Sequence, residues 1–538
     1  MSNQNRTIYG GKVNREKPIN FVFNGKSYIG YQGDTLASAL LANDVHLIGR
    51  SFKYHRARGI LTAGSEEPNA IVQLGLGART EPNIRATEVE LYEGLEASSQ
   101  NCWPSVNFDI GAMNNFLSRI FPAGFYYKTF KWPPSMWLFY EHFIRKAAGL
   151  GQSPTAKNPD RYEQKFYYTD ITIVGGGISG LLAALGAGRS GCKVLLIDEN
   201  PELGGYLLDY NFSINEKDGK KWLKKIIDEL NGLANVVILK RTTAMGYYDY
   251  NYLTALEKVT NHHVEFSSTL PRERYWRIRS KKVILAQGAF ERPLVFADND
   301  RPGIMMASAG QKYLSRYGVL PGKSVVLFTN NDHAYLTAFE FVEKGAKVTV
   351  VDTRDLLNAR ISEKCKLLNI KVFKSYSVIK TYGDKKVNRI EIQQVDKNQN
   401  QLTGEVENIH TDCVLMSGGW NPAVQLFSQS RGKLKYDLKI NTFVPDKIIE
   451  NQKIIGSNNG QFNLQENLNE SFEAGIAAAN ELNFNSVEKV NWTGKEEIEF
   501  THSDVEPYML GKKKVTKGSK HFIDFQNDVT AADIFLAQ

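Results

Sequence analysis

The chain has 538 residues, of which 42% are hydrophobic and 23% charged. It is therefore long enough for several domains with large cores, and a disordered, collagen-like or coiled-coil protein is excluded. With 66 basic and 58 acidic residues the formal net charge is +8, a mild surplus that gives little support to nucleic-acid binding.

The cysteines and the amino terminus indicate the compartment. Cys102, Cys192, Cys365 and Cys413 are too far apart for any local metal or redox spacing, which favours a reducing environment. No apolar stretch follows the first charges, so no secretion signal is indicated. The longest uncharged run, residues 171–188, contains six glycines and is more typical of a strand, loop and helix than of a membrane span. We expect a cytoplasmic protein that does not enter a membrane.

Residues 1–100 are predicted to form a β-grasp, ferredoxin-like domain. Asn24 and Gly25 separate two apolar runs and predict a tight hairpin, because both positions tolerate positive φ. Thr35 precedes the apolar pattern LASALLAN, which predicts a capped helix. A hairpin followed by a helix is typical of the start of a β-grasp domain.

Residues 101–165 form an aromatic-rich connector. Aromatic side chains usually bury within their own chain, so we expect them to pack against the following domain, with a contact to another subunit as the alternative.

From about Tyr168 apolar strand patterns alternate with helical ones, which predicts doubly wound α/β sheets. Residues 166–310 and 410–485 are assigned to a dinucleotide-binding domain, and residues 311–409 to a second Rossmann-like insert. Residues 486–538 are predicted to be a linker towards a missing carboxy-terminal domain, as in a truncated chain.

The sharpest motif is ITIVGGGISG at residues 171–180. Gly175 permits a tight turn out of the strand, Gly177 lets the backbone approach a diphosphate, and Gly180 allows close packing of the helix on the sheet. Asp198 ends the next strand, where a carboxylate can bind the adenosine ribose. An acid without a basic neighbour favours NAD or FAD over NADP.

Further candidate cofactor-binding residues lie in this turn or at later strand ends with glycine crossings. They are Ile178, Ser179, Glu199, Gly204, Gly205, Tyr206, Ala286, Gln287, Gly288 and Gly456. Each later segment alone is equally compatible with an ordinary strand-ending turn.

The second Rossmann-like unit has no glycine in its first turn, residues 329–335, so nucleotide binding there is not expected. His333 in this turn is expected to be structural. Glu291, Arg292 and Tyr335 are polar residues near strand ends, for which surface exposure is expected. No catalytic residue is assigned.

Three segments, SFKYHRARGILTAGSEEPNA at 51–70, AQGAFERPLVFADNDRPGIM at 286–305 and FIDFQNDVTAADI at 522–534, resemble the α subunit of heterotetrameric sarcosine oxidase. The resemblance covers the whole chain. It implies a thioredoxin-reductase-like pair of Rossmann units after a β-grasp domain, with NAD bound at the motif of residues 171–180 and at Asp198.

The resemblance also implies an activity and partners. The complex would oxidatively demethylate sarcosine or a related N-methyl amine on the FAD of a β subunit-like flavoprotein, with FMN at the subunit boundary and further partners among smaller subunits. Because residues 49–69 contain no cysteine, no iron–sulfur cluster is expected. The α subunits continue into a folate-binding, aminomethyltransferase-like domain that is absent from these residues.

Two alternatives remain open from the sequence. One is a standalone or differently partnered FAD-dependent amine or opine dehydrogenase with FAD in the same site. The other is a non-catalytic scaffold whose dinucleotide is purely structural.

Overall fold

The structure is a computed structural model. It describes residues 4–116, 132–147, 149, 151–263, 269–396, 401–485, 487–498 and 519–538. The middle of the aromatic connector and the lysines at 512–514 therefore lie outside the described residues.

Backbone contacts divide the chain into two compact units. The first unit comprises Met1–Pro159, Pro293–Gly418 and Tyr508–Gln538, and the second comprises Asp160–Arg292 and Gly419–Pro507.

The first unit begins with a five-stranded sheet of order β2-β1-β7-β5-β6, in which β1 pairs antiparallel with β2 and parallel with β7. Its helices are α1 (Leu36–Ala42), α2 (Met113–Phe116) and α3 (Trp137–Ala147). Its strands are β1 (Asn14–Phe23), β2 (Lys26–Gln32), β3 (Gly49–Arg50), β4 (Ala57–Arg58), β5 (Ile71–Leu74), β6 (Glu81–Arg85) and β7 (Leu95–Ser99).

Two local predictions for this part of the chain, a hairpin and a helix cap, are confirmed. Asn24 and Gly25 have φ of 52° and 75° and join β1 to β2 in an antiparallel hairpin. Thr35 caps α1 by accepting a hydrogen bond from the backbone N–H of Ser38 at 3.1 Å. The hairpin therefore leads directly into a buried helix, as the sequence predicts.

The next elements along the chain belong to the second unit. Its helices here are α4 (Ile178–Arg189) and α5 (Gly219–Gly232). Its strands here are β8 (Tyr162–Val174), β9 (Val194–Ile197), β10 (Phe212–Ile214), β11 (Lys217–Asp218), β12 (Val236–Leu239), β13 (Thr242–Tyr248), β14 (Tyr252–Lys258), β15 (Glu273–Leu285) and β16 (Ala289–Glu291).

The chain then returns to the first unit. The helices are α6 (Ala307–Tyr317), α7 (Ala334–Glu343) and α8 (Ala359–Leu367). The strands are β17 (Ile304–Met306), β18 (Ser324–Thr329), β19 (Lys347–Asp352), β20 (Lys371–Lys374), β21 (Tyr376–Gly383), β22 (Val387–Val395), β23 (Leu402–His410) and β24 (Cys413–Ser417). They form a parallel sheet of order β17-β24-β18-β19-β20 and an antiparallel sheet of order β21-β22-β23.

The second unit resumes with helices α9 (Gln425–Gln429) and α10 (Leu464–Asn480) and strands β25 (Trp420–Pro422), β26 (Lys433–Asp437), β27 (Thr442–Lys447), β28 (Gln452–Ile454) and β29 (Gly494–Glu496). Its main sheet runs β12-β9-β8-β15-β14-β13, and β28 pairs parallel with β15. Because β12, β9, β8, β15 and β28 are parallel, their carboxyl ends lie at one edge of the sheet. Leu181 and Leu185 of α4 and Phe472 of α10 belong to one buried apolar cluster beside this sheet.

The carboxy-terminal residues differ from the prediction of a linker. Residues 519–538 form β30 (Phe522–Asp524), β31 (Val529–Thr530) and α11 (Ala531–Ala537) within the first unit. Phe522 and Phe525 are buried, and the Asp528 carboxylate accepts hydrogen bonds from the backbone N–H of Lys53 and Tyr54. A buried aromatic pair and a buried carboxylate hold this segment in the fold. The other predicted domain boundaries stay predictions.

Where the aromatic connector is described, the side chains of Trp103, Phe116 and Trp132 are exposed. Its packing against a following domain or against another subunit stays a prediction. Among the described residues, no helix combines the length and the apolar character needed to cross a membrane.

Candidate functional site

The turn after β8 is built around glycines that cannot carry side chains. Gly175 has φ of +106°, and a Cβ there would overlap the carbonyl oxygen of Ala286. A Cβ at Gly180 would overlap the carbonyl oxygen of Gly175. The turn and the start of α4 are therefore packed backbone against backbone.

Gly177 differs from its neighbours because a Cβ built there would overlap no other atom. It has an ordinary backbone conformation, φ −69° and ψ −178°. The nearest heavy atom to a Cβ built there is the Cα of Gly205, 4.0 Å away. Gly204 donates its backbone N–H to the carbonyl oxygen of Gly176 at 2.8 Å, which holds the two glycine segments side by side. We call the glycine-lined surface formed by Gly177 and Gly205 the glycine crevice.

The first turn of α4 lies at the glycine crevice. Gly177 is the N-cap residue, and Ile178 and Ser179 follow in the first helical turn. Backbone N–H groups at a helix start and the positive end of its dipole favour a negatively charged group. The crevice therefore has the chemistry of an anion site lined by backbone.

Asp198 lies beside the turn and is 8% exposed. Its Oδ2 accepts a hydrogen bond from the backbone N–H of Gly176 at 2.6 Å, and its Oδ1 accepts from the backbone N–H of Asn200 at 2.7 Å. Its Oδ1 also accepts from the Nδ2 of Asn200 at 3.1 Å, so both carboxylate oxygens are engaged within the chain. The following residue, Glu199, is exposed.

The loops after β15 and β28 end near the same turn. Ala286 donates its backbone N–H to the carbonyl oxygen of Val174 at 2.8 Å. A Cβ at Gly456 would overlap the hydroxyl of Ser179, and a Cβ at Gly288 would lie 3.9 Å from the Oγ of Ser457. The predicted residues of three strand ends are thus brought together by the parallel sheet.

Two buried amide oxygens in these loops have no hydrogen-bond partner among the described residues: Gln287 Oε1 and Asn458 Oδ1. The Nδ2 of Asn458 donates to the carbonyl oxygen of Ala423 at 2.7 Å, which orients its side chain. Buried acceptors without partners are costly and are usually satisfied by a bound group or water. These residues fit a ligand that carries hydrogen-bond donors.

The side chain of Tyr206, another residue predicted to bind the cofactor, makes contacts within the chain. Its hydroxyl donates a hydrogen bond to the Glu496 carboxylate on β29, and its ring lies 5.4 Å from that of Tyr210. The hydroxyl is thus engaged within the chain.

The residues predicted to bind the cofactor did not include Asn458 or Asn200. Asn458 lies in the segment GSNNG, whose signal is a polar, glycine-flanked loop directly after a strand. Asn200 donates its backbone N–H and side-chain Nδ2 to Asp198, two residues earlier. Such a short-range contact is typical of an Asx turn.

In the first unit, the turn between β18 and α7 is filled by side chains. Asp352, at the end of β19, accepts hydrogen bonds from the Tyr335 hydroxyl at 2.8 Å and from Arg354 Nη2 at 2.9 Å. Arg354 Nη2 also lies 2.8 Å from Asp332. Burial opposes the charge of Arg354, but the two carboxylates more than offset it and raise its pKa. Asp352 holds the position in this unit that Asp198 holds in the other, and here Arg354 of the protein itself neutralises the carboxylate.

Two residues of this turn, Tyr335 and His333, are buried. Tyr335, expected on the surface, is fully buried because its hydroxyl reaches Asp352. His333 is also buried, and burial lowers its pKa to about 4. Across the described residues, no cluster of three or more His, Cys, Asp or Glu is arranged to hold a metal ion.

A comparison with models of known protein families identifies the class of protein to which the chain belongs. Residues 169–447 match the model of the pyridine nucleotide-disulphide oxidoreductase family, and the chain belongs to that family. It is thus an oxidoreductase with a nucleotide-binding fold.

Within that class, the resemblance to one particular protein is confirmed. The chain is 43% identical to the alpha subunit of sarcosine oxidase from Rhizobium meliloti over 529 residues, which cover 98% of this chain and 52% of the relative. It spans about half the length of the sarcosine oxidase alpha subunits that it matches. A subunit of opine oxidase from Agrobacterium tumefaciens is 29% identical over 193 residues, covering 35% of this chain and 37% of that protein.

A solved structure shares the fold. L-proline dehydrogenase from P. horikoshii superposes with a TM-score of 0.58 at 18% identity, covering 90% of this chain and 77% of that chain.

One cofactor prediction is wrong. Residues 16–102 match the model described as a 2Fe-2S iron-sulfur cluster binding domain, which supports the ferredoxin-like domain but contradicts the expectation that it has no iron–sulfur cluster. Of the thiolates that such a cluster would require, the matched range supplies Cys102, whose pKa is raised by burial. The residues of this range therefore do not make up a four-thiolate ligand set.

Proposed function

We propose that the glycine crevice binds the diphosphate of NAD and that Asp198 binds the adenosine ribose. The observation that carries this proposal is the side-chain-free surface of Gly177 and Gly205 at the start of α4, where a Cβ at Gly177 would meet no atom closer than 4.0 Å. The Asp198 carboxylate lies beside this turn at the end of the next strand, where the acid of a dinucleotide site binds the ribose. A side chain at Gly177 would occupy the position of the phosphates.

NAD is preferred for two reasons. The family's description names a pyridine nucleotide. The segment after Asp198 reads ENPE and has no basic side chain to bind a 2′-phosphate, which disfavours NADP. Bound NAD supplies a nicotinamide that can accept a hydride.

Gln287 and Asn458 would complete the site as hydrogen-bond acceptors. Their buried amide oxygens have no partner among the described residues, whereas ribose hydroxyls and carboxamide N–H groups are donors. Dinucleotide binding would satisfy them and so stabilise the second unit by mass action.

We further propose that the chain is part of a complex that oxidises the CH–NH bond of sarcosine or a related N-methyl amine. The support is the identity to the alpha subunit of sarcosine oxidase along 98% of the chain. Amine oxidation would take place on the flavin of a partner subunit, and this chain would contribute the dinucleotide site. We assign no catalytic residue to it.

The first test identifies the ligand. The purified chain is denatured, and the released small molecules are analysed by mass spectrometry. NAD at one per chain supports the proposal, and recovery of FAD supports the alternative below. Chain without a nucleotide that also fails to bind added NAD contradicts the dinucleotide site.

The second test concerns the complex. The chain is co-expressed with a sarcosine oxidase β subunit-like flavoprotein, and oxygen consumption with sarcosine is measured with an electrode. We expect activity in the co-purified complex and none in the chain alone. A chain that never co-purifies with the flavoprotein would contradict its membership of such a complex while leaving the dinucleotide site intact.

The second candidate function is an FAD-dependent amine or opine dehydrogenase. The partial match to the opine oxidase from Agrobacterium tumefaciens favours it, since that alignment covers 35% of this chain. A yellow purified chain that reduces a dye with an opine as the donor would support this candidate over the first.

A further inference from the structure

Arg292 of the second unit carries a charge that its neighbours do not balance. The sequence suggested an exposed side chain, but Arg292 is half-buried directly after β16. Its Nε donates to the Oδ1 of Asn421 at 2.9 Å, and its Nη2 donates to the carbonyl oxygen of Trp420 at 3.3 Å. Both acceptors are neutral, and among the described residues no carboxylate forms an ion pair with this guanidinium. Neutral dipoles alone therefore hold the cation.

The surroundings of Arg292 oppose its charge. Burial lowers the pKa of Arg292, and among the described residues the Tyr436 phenol is the one ionisable group that acts to raise it. The adjacent Glu291 therefore does not offset the charge. Arg354 shows the contrast, since the carboxylates beside it raise its pKa. The guanidinium of Arg292 is charged at neutral pH, and a charge taken from water without a counter-ion is costly, so a bound anion would be stabilised there.

Two hydrogen-bond donors beside this charge are unused and can be reached from solvent. The Nη1 of Arg292 and the Nδ2 of Asn421 have no hydrogen-bond partner among the described residues, and neither is one of the buried atoms without a partner. The amide of Asn421 is held in one orientation, because its Oδ1 accepts from the Nε of Arg292 and, at 2.9 Å, from the Thr442 hydroxyl. A small molecule can therefore meet a fixed cation and a fixed amide donor.

The backbone of the second unit holds these two side chains together. Strands β16 and β25 pair antiparallel with Phe290 opposite Asn421, and the backbone N–H of Arg292 donates to the carbonyl oxygen of Gly419 at 2.7 Å. A guanidinium has five N–H donors in one plane, and the side-chain bonds of Arg292 use two of them. Its planar fork matches the two oxygens of a carboxylate. The geometry is therefore that of a preformed site for a planar anion.

We propose that Arg292 and Asn421 bind the carboxylate of a small organic acid. The carboxylate would accept from the Nη1 of Arg292 and the Nδ2 of Asn421, and its single charge would pair with the single cation. Among the described residues no second cation acts on Arg292, so a phosphate dianion would keep an unpaired charge. The proposal does not depend on the dinucleotide site, because the two sites share no residue.

The test measures the reaction of each arginine of the full chain with phenylglyoxal, by mass spectrometry of its peptides. A carboxylate bound to a guanidinium blocks this reagent. Acetate is titrated at constant ionic strength, with acetamide as its neutral isostere and inorganic phosphate as the dianion. We expect saturating acetate to slow the modification of Arg292 by about tenfold or more, and acetamide to have no effect. The internal control is Arg389 of the first unit, which donates to Asn408. The proposal is overturned if Arg292 does not react in the free chain, if phosphate protects it better than acetate, or if acetate protects Arg389 equally.

The matched variant is Asn421→Asp, which supplies the missing carboxylate within the chain. It should fold with a thermal midpoint no lower than that of the unmodified chain, because it keeps the acceptor oxygen for Arg292 and Thr442 and pairs the cation. We expect Arg292 to react more slowly in this variant and acetate to have no further effect. Asn408→Asp places the same change beside Arg389 and should leave the protection of Arg292 by acetate unchanged. Undiminished protection in Asn421→Asp, or equal loss in both variants, would refute the assignment.

Discussion

The Oδ2 of Asp198 accepts the backbone N–H of Gly176 at 2.6 Å, so the acid at the end of β9 holds the glycine turn at the end of β8. The two residues are 22 positions apart and lie just beyond the ends of adjacent parallel strands. The carboxylate proposed to bind the ribose therefore also shapes the turn proposed to bind the diphosphate.

Replacing Asp198 should affect both stability and binding. In Asp198→Ala, the N–H groups of Gly176 and Asn200 lose their acceptor, which should cost about 1–3 kcal/mol of unfolding free energy. Asp198→Asn keeps one acceptor oxygen, so it should unfold closer to the unmodified chain but retain less NAD. Urea unfolding and nucleotide content measure the two effects. Unchanged nucleotide content in both variants would contradict the role in ribose binding.

Gly177 and Gly180 form a matched pair of substitutions. Gly177→Val should fold, since its Cβ has no neighbour closer than 4.0 Å, but it should weaken NAD binding by about tenfold or more, equivalent to about 1.4 kcal/mol. Gly180→Val should instead lower the thermal midpoint, because its Cβ would overlap the carbonyl oxygen of Gly175. Differential scanning fluorimetry and released-nucleotide analysis distinguish the two. A Gly177→Val chain that is fully loaded with NAD would show that the phosphates lie elsewhere.

Arg354 should be essential for the fold of the first unit and irrelevant to nucleotide content. Arg354→Leu leaves the buried carboxylates of Asp332 and Asp352 without their cation, which should cost about 3–5 kcal/mol. The control is Arg431→Leu, whose pairs with Asp249 and Glu450 involve a 60% exposed arginine and should be worth at most about 1 kcal/mol. Equal losses in urea unfolding would contradict the buried network.

Stability should fall as the pH drops below neutrality, partly through His333. Its pKa is about 4 in the folded chain, against about 6.5 when unfolded, so the unfolded chain binds a proton first. Its contribution is complete above about pH 6.5 and is lost towards pH 4, by up to about 3 kcal/mol. Burial also lowers the pKa values of His46 and His521, which act in the same direction.

The measurement is the free energy of unfolding in urea at pH 7.5, 6 and 5. His333→Gln keeps a polar side chain that does not titrate, so its stability should fall less over this interval. Parallel pH profiles for the variant and the unmodified chain would show that His333 is not responsible.

Much of the geometry of the proposed nucleotide site could be predicted because its signals are local. The geometry of one strand, turn and helix requires a glycine with positive φ at 175 and a glycine packed against backbone at 180. The same geometry accounts for an acid at the end of the next strand. The hairpin at Asn24 and Gly25 and the cap at Thr35 were equally accessible, since each depends on a few neighbouring residues.

The burial of Tyr335 was missed for the opposite reason. Its exposure depends on Asp352, 17 positions away on the next strand, rather than on its own turn. The expectation of no iron–sulfur cluster was also wrong, because it considered ligand chemistry in one loop, whereas the family match extends across residues 16–102.

By itself the sequence determined the strand, turn and helix pattern and the chemistry of the glycine turn, because backbone conformation depends on residues a few positions apart. Only the tertiary structure decided that Gly205 faces Gly177, that Asn458 lies in the loop beyond β28 with an unused oxygen, and that Arg58 pairs with Asp528 across 470 positions. Such contacts depend on how strands pair and pack, and the free energy of burying a polar group is defined only once its surroundings are in place.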